Sequence, residues 1–377
     1  MKIEKRIPLK RLLQVILPLL LLGAIILGSS FVERSKIGAD NSSFYAKATV
    51  IKVLEDNTGG KEFMGYQKVE ARITSGEYQN YRCELENPNT YQRGAFCAPG
   101  TKVIALIRAD ATGKFVGSVY NYDRTGMVWL LLGAFALILI LVGGKKGAAA
   151  LYALVFTFVC VICVYVPLLY VGMNGILVAI LTAVLILCAS IYIINGWSTK
   201  TLCGILGTTV GVAVSGLAAM LVGNAFHLSG FNTEDAEGLI YIANHGQLDV
   251  ANVLYAGVLI SSLGAVMDVS VSIVAAMQEV HEKAPKLRPK ELFGSGMRVG
   301  HDMMGTMSNT LILAYTGSAT SVLLSVYAYN MPYLQVMGYN SIVIEILCGL
   351  CGTIGVILTV PVQTAITTMV LKSKKQK

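Results

Sequence analysis

Apolar residues occur in eight long blocks along the chain, and three pairs of neighbouring blocks are separated by six residues or fewer. Each block is about as long as the ~20-residue helix that crosses a ~30 Å hydrocarbon core. The pattern predicts an α-helical integral membrane protein with about eight transmembrane helices. The blocks span residues 12–31, 127–143, 149–172, 175–195, 202–223, 249–277, 303–326 and 341–371.

One long polar segment, residues 32–126, interrupts the blocks. It has no helical period, and its apolar and polar residues alternate in five short runs separated by Asn, Pro and Gly, as in antiparallel strands. Five such strands predict a small β-rich domain, either an OB-like barrel or a sandwich. The runs are Phe44–Leu54, Val69–Ile73, Tyr78–Leu85, Lys102–Ala109 and Phe115–Tyr120.

The pattern divides the chain into three parts. Residues 1–31 hold a basic N-terminus and the first transmembrane helix, residues 32–126 form the β domain, and residues 127–377 form a bundle of seven transmembrane helices. Between two of these helices, residues 289–300 place apolar side chains on one side. This predicts a cytoplasmic amphipathic helix that lies at the membrane interface.

Lys and Arg are distributed unevenly between the two sides of this arrangement. If the N-terminus is cytoplasmic, the inner segments hold seventeen Lys and Arg, and the short outer loops hold none. Cytoplasmic loops carry the excess of positive charge, while long outer domains are exempt from the rule. Both termini are therefore expected inside and residues 32–126 outside. The inner segments are 1–11, 144–148, 196–201, 278–302 and 372–377, and the short outer loops are 173–174, 224–248 and 327–340.

The composition agrees with a lipid-facing chain. Hydrophobic residues make up 54% and charged residues 14%, with a mean hydropathy of +0.63, whereas soluble proteins carry about 25% charged residues. The net charge of +8 lies largely in short inner segments, where it sets topology. The lipid bilayer is therefore an expected partner, and nucleic acid is not.

No residue pattern indicates an enzyme. The sequence contains no HExxH, G-x-S-x-G or Walker A pattern, so neither a hydrolase nor an ATPase is expected. The pairs Cys160/Cys163 and Cys348/Cys351 have a spacing found in zinc sites. They lie mid-block, however, where cysteine usually acts as a small hydrophobic residue. We therefore expect no metal and no cofactor.

Cys83 and Cys97 are the two cysteines outside the apolar blocks. An extracytoplasmic location permits a disulfide between them. Spacing alone does not establish pairing, so a Cys83–Cys97 bridge and two free thiols both remain open.

Asp268 is the most informative residue in the apolar blocks. An Asp at a helix centre costs ~2.5–3.5 kcal/mol or more, and no Lys or Arg lies within ten residues of it. Asp268 therefore either pairs with a group on another helix or is protonated through desolvation. A carboxyl at this depth is typical of proton relays in transporters. The alternative is a neutral, hydrogen-bonded Asp that fixes helix packing.

Polar residues in the following block are expected at the depth of Asp268. Thr306, Asn309 and Thr310 share one helical face by the i, i+3, i+4 rule. They resemble a proton or cation site, or they form hydrogen bonds between helices worth only ~0.6 kcal/mol each. Glu345 lies about one turn inside the outer end of the last block. It is either a further group on the same pathway or a carboxylate that reaches water.

Two long stretches resemble the YibE/F family of bacterial multi-span membrane proteins. They are HGQLDVANVLYAGVLISSLGAVMDVSVSIVAAMQEV and ELFGSGMRVGHDMMGTMSNTLILAYTGSATSVLL. Gly264–Asp268 and Gly300–Asn309 carry the most specific part of the resemblance, which extends from the outer domain to the last block. It implies a multi-pass protein of the bacterial cytoplasmic membrane, and it implies no particular reaction.

The order of elements is also similar to that of SecD/SecF and the resistance-nodulation-division permeases. In those proteins one span precedes an extracytoplasmic domain, and a later out-to-in span carries an acidic residue and leads into a cytoplasmic amphipathic helix. Asp268 and residues 289–300 occupy these positions here. This chain departs from the pattern by two additional spans and a much smaller outer domain.

These observations lead to two functional hypotheses. The first is a membrane permease or energy-transducing protein, coupled to a proton or cation through Asp268. The second is a scaffold that does not transport, whose outer domain binds a partner. A membrane-protein partner or a second copy of the chain is compatible with either hypothesis.

Overall fold

The computed structural model describes residues 9–30, 43–59, 65–90, 94–109, 114–228, 230, 236–245 and 249–373. These residues form two compact units, with boundaries after residues 32 and 141. One unit contains a β-barrel, and the other is helical. Each unit is described by itself.

Five strands form a closed barrel in the order β1-β2-β3-β5-β4. β3 and β5 run parallel, and the other neighbouring strands run antiparallel. This is a barrel of the OB-like kind rather than a sandwich. Every second residue of a strand points inward, as Val69, Ala71 and Ile73 do. The strands are β1 (Ser43–Asp56), β2 (Gly65–Ile73), β3 (Arg82–Asn89), β4 (Lys102–Ala109) and β5 (Phe115–Tyr122).

The third strand begins later than its sequence pattern predicts. Residues 78–81 belong to the turn between β2 and β3, and β3 starts at Arg82. Gly76 and Asn80 have φ values of 81° and 74°. These left-handed conformations are incompatible with a strand, so the alternation of Tyr78–Leu85 reflects a turn followed by a strand.

In the barrel, Cys83 and Cys97 lie too far apart to form a disulfide. The structure therefore contradicts the bridged alternative and agrees with two free thiols. Both are buried free thiols. The Sγ of Cys97 lies 3.5 Å from the Nδ2 of Asn87, which is four residues beyond Cys83 on β3. Four strand residues span ~13 Å, whereas bridged cysteines have Cα atoms less than ~7 Å apart.

Among the residues that the structure describes, five helices are long and apolar enough to cross a membrane, or six if the bent pair α8–α9 counts as one span. Thr125–Tyr170 is one of these five, because α2, a π-helical turn (Val161–Tyr165) and α3 follow each other directly. The helices are α1 (Leu9–Ser30), α2 (Thr125–Cys160), α3 (Val166–Tyr170), α4 (Gly175–Asn195), α5 (Thr199–Ala225), α6 (Ala236–His245), α7 (Val250–Lys283), α8 (Pro289–Ser318), α9 (Thr320–Ala328), α10 (Tyr333–Met337) and α11 (Asn340–Ser373).

Two predicted blocks, 127–143 and 149–172, fall within the continuous run of residues 125–170. The backbone leaves the helical conformation at Gly144, where φ is 55° and ψ is −131°. A residue with a Cβ rarely adopts this conformation. Gly144 therefore marks a kink between the two predicted blocks.

The expected interfacial helix at residues 289–300 is wrong as a separate element. These residues are the first part of α8, which continues to Ser318. Leu292, Gly296 and Gly300 are buried. At Gly296, α8 lies directly against Met277 of α7 and against α11. Glycine lets the helices approach closely, and no helix-breaking residue separates this segment from the apolar block after it.

Candidate functional site

Asp268 lies on the exposed side of α7. The helix buries Val266, Val269 and Ile273 against its neighbours, and Asp268 falls on the opposite side. Among the described residues, no hydrogen bond or ion pair involves the Asp268 carboxyl. The structure therefore leaves this carboxyl open rather than enclosing it in the helix packing.

Three small residues share the exposed side of α7 with Asp268: Gly257, Ser261 and Gly264. Their spacing of four, three and four residues keeps all four on one helical face, which we call the α7 stripe. A Cβ added at Gly257 or Gly264 would meet no atom within 4 Å. Open space therefore lies beside the stripe on both sides of Ser261 along the helix.

α8 runs antiparallel beside α7. Met277 contacts Gly296 near one end of the pair, and the hydroxyl of Tyr315 donates to Ser261 Oγ at 2.7 Å nearer the other end. Interpolation between these contacts places Asp268 at the level of Thr306. The two groups thus lie at similar depth, as the sequence predicts.

The polar residues of α8 share this depth but do not bind Asp268 within the described chain. The hydroxyl of Thr306 donates to the Met303 carbonyl at 2.9 Å, and that of Thr310 donates to the Thr306 carbonyl at 2.9 Å. Asn309 is exposed and lies two and a half turns beyond buried Gly300, on the opposite side of α8. The structure therefore brings these residues level with Asp268 without joining them to it.

Glu345 is half-buried on α11, and its Oε1 lies 3.2 Å from the Ser318 hydroxyl at the end of α8. It lines a groove of about 210 Å³ between α8, α9 and α11, together with Tyr315. The hydroxyl of Tyr315 also donates to Ser261, so Tyr315 contacts both this groove and the α7 stripe. The sequence alone did not predict these contacts.

Sequence reasoning missed Gln363, whose amide is the most deeply buried among the described residues of the helical unit. Its side chain is fully buried between α5, α7 and α11. Its Oε1 accepts from Ser270 at 2.6 Å, and its Nε2 donates to the Cys203 carbonyl at 3.0 Å and to Thr367 at 2.9 Å. An uncharged amide inside an apolar block was the available signal. The bonds satisfy every atom of the amide, so this cluster is structural.

Comparison with known proteins identifies a family for the helical region. A family model described as YibE/F-like protein matches residues 131–373. The matched region includes Asp268, the polar residues of α8 and Glu345, and it begins after the barrel. No curated protein and no solved structure was found to match the chain.

Proposed function

The chain belongs to the YibE/F-like protein family, and from this premise we propose that it is a multi-pass permease of the bacterial cytoplasmic membrane. A proton or cation moves through it along a pathway that includes Asp268, the α7 stripe and Glu345. The family match and the apolar helices support the membrane location. The arrangement of polar groups on α7, α8 and α11 supports the transport step.

The proposed topology has eight crossings with both termini in the cytoplasm. The 46-residue run Thr125–Tyr170 is ~69 Å long at 1.5 Å per residue, more than twice the ~30 Å hydrocarbon core. It therefore crosses twice, and the kink at Gly144 with Lys145 and Lys146 forms the inner turn. α1, α4, α5, α7, the bent pair α8–α9 and α11 supply the other six crossings.

One observation carries the proposed transport function: a carboxyl without a partner among the described residues on the open face of an apolar helix. Placing an Asp at the centre of such a helix costs ~2.5–3.5 kcal/mol by insertion scales. A purely structural Asp would recover part of this free energy through hydrogen bonds to neighbouring helices. Asp268 makes none within the described residues, so its carboxyl is free to exchange a proton or bind a cation.

The α7 stripe supplies a route from Asp268 toward the proposed outer side. Ser261 lies seven residues before Asp268, ~10 Å along the helix, and a Cβ added at Gly264 between them would meet no atom within 4 Å. Tyr315 bonds to Ser261, and it lines the same groove as Glu345. Thr306 and Asn309 provide further polar groups at the level of Asp268.

The alternative function is a scaffold whose barrel binds a partner outside the cell membrane. The barrel exposes Tyr45 and Tyr120, whose rings meet edge to face with centroids 5.5 Å apart, and it also exposes Tyr81. Exposed aromatic residues are enriched where proteins bind each other. A scaffold would not require an ionisable group at position 268.

Asp268→Asn separates the two functions. The amide keeps the size and hydrogen-bonding capacity of the carboxyl but cannot ionise. We expect the variant to reach the membrane at the normal level and to fail to complement a deletion strain. A carbodiimide, which modifies protonated carboxyls, should label Asp268 more strongly at low pH than at high pH.

Glu282→Gln is the matched control, because Glu282 is an exposed carboxylate at the end of α7. It should complement fully. Full complementation by Asp268→Asn would reject the transport function and favour the scaffold.

A further inference from the structure

The side of α8 that faces away from α7 and α11 is exposed. α8 packs against these two helices and buries Leu292, Gly296 and Gly300 toward them. On the opposite side, six exposed residues recur alternately every four and every three positions. We call this row the α8 seam, and it consists of Arg298, Asp302, Gly305, Asn309, Ile312 and Thr316.

The α8 seam has the spacing of a coiled-coil contact. Positions that alternate by four and three residues repeat every seven, and such a row keeps facing a partner helix when two helices wind around each other with a left-handed twist. Most helix bundles in membranes pack with this geometry. From Arg298 to Thr316 the seam extends ~27 Å along the axis at 1.5 Å per residue. This length is close to the ~30 Å thickness of the hydrocarbon core.

The polar groups of the seam do not suit contact with lipid. The side chain of Asn309 carries two N–H donors and a carbonyl acceptor, and within the described part of the chain it forms no hydrogen bond. Polar groups that face hydrocarbon without a partner are costly. An exposed amide at this depth therefore indicates that a further helix lies beside it.

Gly305 permits such a helix to approach closely. It lies one turn before Asn309 on the seam, and a Cβ added there would meet no atom within 4 Å. Small residues are enriched where membrane helices contact each other, and amide side chains form hydrogen bonds across these contacts. The glycine and the amide on the same face thus favour a helix–helix contact over a lipid-facing surface.

The seam is complementary to itself. An amide both donates and accepts, so Asn309 can pair with Asn309 of a second copy. Arg298 and Asp302 have opposite charges and lie one turn apart, and neither forms an ion pair with a described residue. Two copies with the same orientation in the membrane hold these residues at the same depth, and a twofold interface uses one patch on both partners. A second copy of this chain therefore fits the seam.

We propose that the α8 seam is a homodimer interface within the membrane. Two α8 helices pack in parallel, with Asn309 bonded to Asn309 near the centre of the contact. At one end of the seam, Arg298 of each copy pairs with Asp302 of the other. The proposal goes beyond transport, because it requires only the membrane location and holds equally for a permease or a scaffold.

The test measures dimerisation of the full-length protein in liposomes by energy transfer between labelled copies, at decreasing protein-to-lipid ratios. We expect Asn309→Val to raise the ratio at half-dimerisation by about 3- to 30-fold, the factor that one hydrogen bond between membrane helices supplies. Thr310→Val is the matched control, because Thr310 is exposed beside the seam and its hydroxyl already donates to the Thr306 carbonyl at 2.9 Å. The control should dimerise as the wild type does.

Charge reversal gives a second readout, and it decides the question if Asn309→Val does not reach the membrane. Arg298→Glu places like charges at one end of the seam and should weaken the dimer several-fold. Arg298→Glu combined with Asp302→Arg restores opposite charges and should restore dimerisation. Failure of the double variant to recover would overturn the proposed parallel pairing.

Two other results would also overturn the proposal. One is a wild type that stays monomeric at every ratio, and the other is equal dimerisation of the wild type, Asn309→Val and Thr310→Val. A monomer that copurifies from cells with a different membrane protein, and loses it on Asn309→Val, would overturn the proposal in favour of a hetero-oligomer. None of these results depends on whether Asp268→Asn complements, so the dimer and the proposed function are tested separately.

Discussion

At the residue scale, the two carboxyls inside apolar helices differ in their surroundings. Asp268 lies on an open stripe with glycines on the same face, whereas Glu345 lies in a groove with a hydroxyl 3.2 Å away. An open carboxyl can gain and lose a proton when water reaches it. The Ser318 hydroxyl can donate to Glu345, whereas no described group donates to Asp268. The two carboxyls therefore differ in hydrogen bonding, and the proposed pathway includes both.

The buried thiols of the barrel provide a test at the residue scale. Burial raises the pKa of Cys83 and of Cys97 to about 11, so few thiolates form near neutral pH, and the thiolate is the reactive form. We expect slow alkylation of both cysteines in the native protein and complete alkylation after denaturation without reductant. Mass spectrometry checks both, and cross-linked Cys83 and Cys97 peptides would contradict the free thiols.

At the element scale, α11 brings a polar face into the centre of the helical unit. Thr359, Gln363 and Thr367 are fully buried, and Gly207 and Gly211 of α5 lie directly against this face. Glycine permits the contact because any side chain would occupy the space of the amide or hydroxyl. The polar side chains of α11 can therefore be buried here only because α5 has glycines at the facing positions.

Gly207→Ala tests this contact. The added methyl group would overlap the Gln363 amide, and overpacking of this kind costs ~1–3 kcal/mol. Gly204→Ala is the matched control on the same helix, because its methyl group would meet its nearest neighbour, Ile191, at 3.4 Å. We expect the unfolding midpoint to fall clearly for Gly207→Ala and little for Gly204→Ala. Equal midpoints would show that the contact is not tight.

At the scale of the whole molecule, the proposed topology places the barrel outside and the α7–α8 connection inside. Asn57 in the barrel and Lys286 between α7 and α8 are both exposed, so accessibility at either position reports its side of the membrane. The uneven distribution of Lys and Arg supports this orientation.

Single cysteines at these two positions test the topology. Asn57→Cys should react with an impermeant thiol reagent in intact cells, and Lys286→Cys should react only after lysis. The unmodified protein measures the background from its native cysteines. Labelling of Lys286→Cys in intact cells would refute the eight-crossing arrangement.

The sequence by itself determined the helices and strands that follow from local patterns of apolar and polar residues. Long apolar blocks specify the helices, because each must bury its surface in lipid or against a neighbour, and alternation specified the strands of the barrel to within a few residues. The alignment of Asp268 with Thr306 along the α7–α8 pair was also expected from the sequence, although residues 284–288, which join the two helices, are far fewer than the predicted connection 278–302.

Only the tertiary structure decided how distant residues meet. It separated Cys83 from Cys97, because their distance depends on strand registry rather than on spacing in the chain. It joined residues 289–300 to α8, because these residues pack against α7 and α11, and it broke the helix at Ala319. It also enclosed Gln363 and left Asp268 open. Hydrophobic periodicity in the sequence predicts that a helix has a buried side. Which polar residues lie on that side depends on the helices that pack against it.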